Sequence, residues 1–146
     1  MALLAMMLAF AAPSLSRSIR DRHLKQEATR FVAATEYARD EAVSQGVPMI
    51  VWIDAQARRF GVQPKSAYGG DLTRDREFQL GSEIRVEVEK TSLTGGDVTT
   101  VMEFAPDGTP EPASTESVRL VDRFDAVVTI ARTNDRWGYE ILKETP

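Results

Sequence analysis

The feature that most constrains this chain is its N-terminal run, uncharged from Met1 through Leu15 (MALLAMMLAFAAPSL) and then charged at nearly every third residue from Arg17 onward. Further along, Leu24, Ala28, Phe31, Thr35, Ala38 and Ala42 recur in alternating steps of four and three, which lays one apolar or small-residue stripe along a helix. Arg22, Lys25, Arg30, Glu36, Arg39 and Asp40 fall on the opposite face. A helix that is apolar all round belongs in lipid or a deep core, whereas a one-sided helix belongs on the surface of a globular body. One element with both characters predicts a membrane stem, residues 1–16, running into a head, residues 17–146. Gly46 followed by Val47 and Pro48 predicts the helix to end near Gln45, because Gly takes the left-handed position past a helix end and Pro cannot continue the hydrogen-bond ladder.

The uncharged run has three readings. It falls short of the roughly 20 apolar residues that span a bilayer as a helix. A secretory signal has an apolar region of about this length, and Ala9-Phe10-Ala11 suits its cleavage site, but no Lys or Arg precedes the run. A buried core helix is the second reading, and a stem whose apolar helix starts upstream of Met1 is the third. The expectation is the stem, with Leu3, Leu4, Met7, Leu8 and Phe10 facing lipid and Pro13 kinking the rod near the boundary.

At 146 residues the chain is one domain with its stem, and 42% hydrophobic residues suffice for a modest core. A formal charge of -4 argues against non-specific nucleic-acid binding, which needs clustered cations to displace phosphate counterions. With no cysteine, disulfides, thiolate nucleophiles and Cys-based metal sites are excluded.

After the helix, Met49-Ile50-Val51-Trp52-Ile53 is β-branched and aromatic without alternation, as in a central strand covered on both faces. A turn at 54–57 and a returning strand at 59–63 complete a hairpin. Residues 64–76 (PKSAYGGDLTRDR), rich in turn formers, read as a long loop. Ile84, Val86 and Val88 alternate with Arg85, Glu87 and Glu89, a half-buried strand. A connection at 91–97 leads to a strand at 98–104, the turn Pro106-Asp107-Gly108, a loop to Ser117, and strands near 118–121, 126–131 and 137–142. The predicted fold is α+β: a long N-terminal helix packed on an antiparallel head of about six to eight short strands. Leu24, Ala28, Phe31, Thr35, Ala38 and Ala42 make the helix-to-sheet seam.

No catalytic set converges. His23 is the single histidine and sits on a charged helix face, so it reads as solvated. Glu87 and Glu89 share a polar strand face with Arg85 rather than forming an acid/base pair. Asp71, Asp75 and Glu77 could supply oxygen ligands to calcium, but the EF-hand spacing is absent. Gly69-Gly70 and Gly95-Gly96 lack the Lys-Ser/Thr of a phosphate cradle and read as turns, and Trp52 and Trp137 as core. The chain is therefore expected to have no catalytic residues, metal or cofactor.

Several stretches together carry a resemblance: Ala11-Ala12-Pro13-Ser14, Ala38-Arg39-Asp40-Glu41-Ala42, Gly46-Val47-Pro48 before an apolar strand, Phe104-Ala105-Pro106-Asp107-Gly108-Thr109, and the late Trp137-Gly138. In order and spacing they resemble the GspH/FimT-like minor pseudopilins of type II secretion and type IV pilus systems. The basic leader and Gly-Phe-Thr-Leu-x-Glu segment of that family, where the peptidase cuts and methylates, are not found in residues 1–12. The resemblance implies a single-pass inner-membrane protein with a periplasmic head, which assembles through its N-terminal helix with other pseudopilins or pilins and takes part in protein secretion. Two alternatives are a signal-peptide-bearing periplasmic binding domain and a FimT-like DNA-uptake pilin; the latter requires a basic surface that this acidic chain does not advertise.

Overall fold

A computed structural model describes residues 2–65, 76–89, 94–95 and 98–142. Helix α1 (Ala2–Gln45) runs without a break through Pro13. At 1.5 Å per residue it is roughly 66 Å long. Its end is the one Gly46 dictates: that residue has φ +67, and its N–H donates to the Ala42 carbonyl at 2.9 Å, closing the last turn. The side chains expected to line a stem (Leu3, Leu4, Met7, Leu8, Phe10 and Pro13) lie outside the described residues. Among the described residues no helix is long and apolar enough to cross a membrane.

Nine strands follow among the described residues: β1 (Met49–Asp54), β2 (Arg59–Pro64), β3 (Arg76–Gln79), β4 (Arg85–Val88), β5 (Thr94–Gly95), β6 (Val98–Phe104), β7 (Ser117–Val121), β8 (Val127–Arg132) and β9 (Tyr139–Leu142). They form two antiparallel sheets, one in the order β3-β2-β1-β6-β5 and the other β4-β7-β8-β9. The α+β architecture is as expected, with β1 central in its sheet. The count exceeds six to eight for two reasons. The polar strand β3 follows the expected 64–76 loop, whose residues 66–75 lie outside the described residues, and β5 is only two residues within the expected connection.

One core lies between α1 and both sheets. Phe31, Ala38 and Ala42 meet Val51, Phe60, Met102 and Phe104 of the first sheet and Leu120 and Ile130 of the second. Leu24 and Thr35 are also buried. The Thr35 hydroxyl has its hydrogen bond at home, donating to the Val32 carbonyl at 2.7 Å. Ala34 and Glu27 widen the buried face beyond the six-residue stripe. Glu27 is held by Arg30 at 2.8 Å, one turn along the same helix.

The β1–β2 hairpin is closed by Asp54, whose carboxylate accepts the Ala57 N–H at 2.9 Å and pairs with Arg59 at 3.3 Å. The backbone bond lowers its pKa first, ahead of Arg59. Trp52, expected in the core, instead lies half-buried on the opposite face of the sheet from Val51, across Gly61.

Candidate functional site

The described surface holds no group of three acidic or histidine side chains placed to bind a metal. Glu87 pairs with Arg119 across the β4–β7 ladder at 3.0 Å, and the Glu89 carboxylate accepts the Ser117 hydroxyl at 2.6 Å; both sit in water-facing positions. Glu77 pairs with Arg59 at 3.0 Å, while Asp71, Asp75, Gly69, Gly70 and Gly96 lie outside the described residues. What remains distinctive is where the head exposes large apolar side chains: Ile19, Val43, Phe124, Trp137 and Leu142.

At the lower end of the head, the β7–β8 turn projects Phe124 toward α1. Asp122 builds this turn, accepting the backbone N–H groups of Phe124 at 2.8 Å and Ala126 at 2.9 Å. Asp125 completes it with φ 63. The Arg20 guanidinium lies 4.1 Å from the centre of the Phe124 ring and that of Arg123 4.7 Å, and Arg123 is held in turn by Glu83 at 2.7 Å. Phe124 and Ile19 line a cleft of about 290 Å³ together with His23 and the 81–84 segment. His23 packs over Gly81, so it borders a cleft that its sequence position did not disclose.

At the upper end, the Pro106-Asp107-Gly108 turn docks on the last turns of α1. Asp107 accepts the backbone N–H of Thr109 at 2.9 Å and its hydroxyl at 2.6 Å, the hydroxyl bond contributing most to its lowered pKa. Gly108 adopts φ +85, and a Cβ there would stand 2.9 Å from Val43 Cγ2. Beside it the β8–β9 turn displays Trp137, half exposed where the sequence suggested core. Asp135 holds that turn by accepting the Thr133 hydroxyl and the Trp137 N–H, and the two bonds lower its pKa in that order. Arg39, Thr133 and Trp137 border a pocket of about 200 Å³.

A third feature is a groove of about 820 Å³ between α1 and β8–β9, floored by Leu24, Val128 and Ile141 and bordered by Leu142. Below the upper surface, the buried Arg132 donates to the carbonyls of Glu111 at 3.2 Å and Ser114 at 3.1 Å, pinning the 109–117 loop. Tyr139 donates its hydroxyl to the Thr115 carbonyl at 2.8 Å, and burial raises the pKa of that phenol. Sequence reasoning singled out neither Phe124 nor Arg132. The only signal for the turn was its Asp-Arg-Phe-Asp composition, and nothing in the sequence marked Arg132 as buried.

The described residues thus present exposed apolar side chains at both ends of the head and a groove along α1. The family model described as type II transport protein GspH matches residues 27–137. The fold is similar to that of the minor pseudopilin EpsH from the type 2 secretion system of Vibrio cholerae, at a TM-score of 0.60 and 14% identity over 82% of this chain and 96% of that one. It is also similar to the type IV minor pilin FimU of Pseudomonas aeruginosa, at a TM-score of 0.61 and 17% identity over 86% of this chain and 91% of that one. No curated protein matches in sequence.

Proposed function

The chain belongs to the GspH family of type II transport proteins, a structural pseudopilin family, and from that premise we propose that it is a minor pseudopilin taking part in protein secretion. It is a structural subunit of a pseudopilus or pilus-like assembly, made with other pseudopilins or pilins. Residues 1–16 are the membrane stem, in the inner membrane as a single pass, and residues 17–146 are the periplasmic head. The stem helices of neighbouring subunits pack on one another, while the seam from Leu24 to Ala42 fastens each head to its own helix. Nucleic acid is not a partner, and the role is assembly rather than catalysis.

The observation that best supports this is α1 itself: one continuous helix, uncharged in sequence over its first turns, whose later turns sink Ala28, Phe31, Ala38 and Ala42 into the core between two sheets. Such an element links a bundle or bilayer to a head as one rod. The test is deletion of the gene in its own organism with complementation. Secretion or pilus formation should fall and be restored by the full chain. Unchanged secretion and piliation, or robust turnover of a substrate by the purified protein, overturns the reading.

A further inference from the structure

The exposed apolar residues at the lower end of the head differ from the others in their height along α1. Ile19 lies four residues beyond Leu15, the last residue of the uncharged run, so it stands about 6 Å above it on the helix axis. Phe124 comes from a different element, yet it stacks against Arg20 at 4.1 Å and so occupies the same level. The polar interfacial layer of a bilayer is roughly 5 to 8 Å thick on each side. An apolar run ending at Leu15 therefore puts Ile19 and Phe124 at the depth of lipid headgroups. We propose that the β7–β8 turn at Phe124, together with Ile19, is a second membrane contact of this protein, seating the base of the head in the headgroup layer of the bilayer that holds the stem. This rests on the membrane-stem reading above.

Chemistry and exposure both fit that depth. Ile19 is 62% and Phe124 51% exposed, so each would lose apolar contact with water on seating. Arginine heads stacked on the faces of an aromatic ring are the side chains that sit well at an interface, where the ring stays among acyl-chain ends and the guanidinium reaches phosphate. Of the charges nearby, Arg123 is balanced by Glu83 at 2.7 Å and Arg85 by Asp125 at 3.1 Å, whereas Arg17, Arg20 and Arg22 outnumber Asp21 on α1 and add attraction to anionic lipid. The apolar contact of Ile19 and Phe124 does not depend on that attraction, so a zwitterionic bilayer tests it by itself. Val43 and Trp137 lie near the far end of α1, beside Gly108 and Arg39, so the same layer cannot reach them. A head seated at its base would be held upright, with its upper turns presented away from the membrane.

The absence of cysteine makes a spin-label test clean. The full chain, reconstituted in phosphatidylcholine nanodiscs, is labelled in turn at Leu8→Cys, Ser82→Cys and Trp137→Cys, and the accessibility of each label to oxygen and to a water-soluble nickel chelate is measured. Ser82 borders the same cleft as Phe124 and leaves the ring intact. The label at 8 should read as buried in lipid, that at 137 as aqueous, and that at 82 as intermediate, with a loss of nickel accessibility. Phe124→Ser should restore that accessibility, and Phe124→Leu should preserve the protection. A label at 82 as aqueous as that at 137, while the label at 8 is in lipid, overturns this inference alone. A label at 8 in water overturns the stem reading with it. Protection at 82 that appears only when other subunits are added places a protein on the rim and also overturns it.

Discussion

The ring of Phe31 on α1 meets the ring of Phe60 on β2 at 5.2 Å between centroids, tilted by 55°, and Phe60 stacks in turn on Phe78 of β3 at 5.2 Å. Three elements are thereby tied in one aromatic row, of which Phe31 and Phe60 are fully enclosed. Removing Phe31 leaves a ring-sized void between helix and sheet. Phe31→Ala should cost about 3 to 5 kcal/mol in urea unfolding, the usual range for a buried Phe. A loss within roughly 0.5 kcal/mol, typical of surface sites, contradicts the packing.

Among the described residues the core is built from α1 between Leu24 and Ala42 and from both sheets, so the head should fold without the stem. A fragment spanning residues 17–146 should be soluble and unfold cooperatively. A fragment that aggregates while the full chain folds in detergent shows that the division between stem and head is misplaced.

Gly61 sits where β2 passes both β3 and Trp52: a Cβ there would stand 2.5 Å from the Arg76 carbonyl and 2.6 Å from the indole. Gly61→Ala should destabilise by about 1 to 3 kcal/mol, since overpacking forces backbone to shift. Adding Trp52→Ala should not restore stability, because the backbone carbonyl remains in the way. Full rescue by that second change would identify the indole as the sole obstacle.

Tyr139→Phe should cost about 1 to 3 kcal/mol, because the Thr115 carbonyl loses the hydroxyl that reaches it at 2.8 Å. Hydrogen exchange should rise within residues 111–117, which Tyr139 and Arg132 hold, and stay unchanged in β1 and β2. A uniform rise across the head would mean that the hydroxyl is not a local pin.

Acid should loosen the turns before the core. Asp107 and Asp135 bind protons more weakly in the fold than at their ordinary pKa of 3.8, because hydroxyl and backbone N–H groups donate to their charged forms. Their stabilisation is fully present above that value and is lost as pH falls below it toward the folded-state pKa. The thermal midpoint of Asp135→Asn should thus lie below that of the parent at pH 7, and the gap should narrow as pH falls below 3.8. A gap of constant size across that window excludes the carboxylate as the source.

Local chemistry determined much of this protein from the sequence alone. The helix end at Gly46, the β1–β2 hairpin, the Pro106-Asp107-Gly108 turn, the α+β class and the family resemblance all rest on residues that constrain their own backbone or repeat at a fixed period, so neighbours along the chain suffice to read them. The tertiary structure decided the division of the strands into two sheets, since antiparallel order depends on pairings between distant residues such as Met49 with Phe104. It also decided that Trp137 faces outward while Arg132 is buried, reversing what residue type suggests: an Asp135-capped turn carries the indole out, and carbonyls of a distant loop solvate the guanidinium inside. Phe124 became a candidate contact only when folding carried its turn to the foot of α1, more than a hundred residues away along the chain from Arg20. Periodicity reports which face of an element is apolar, but which apolar surfaces are left uncovered depends on what every other element comes to cover.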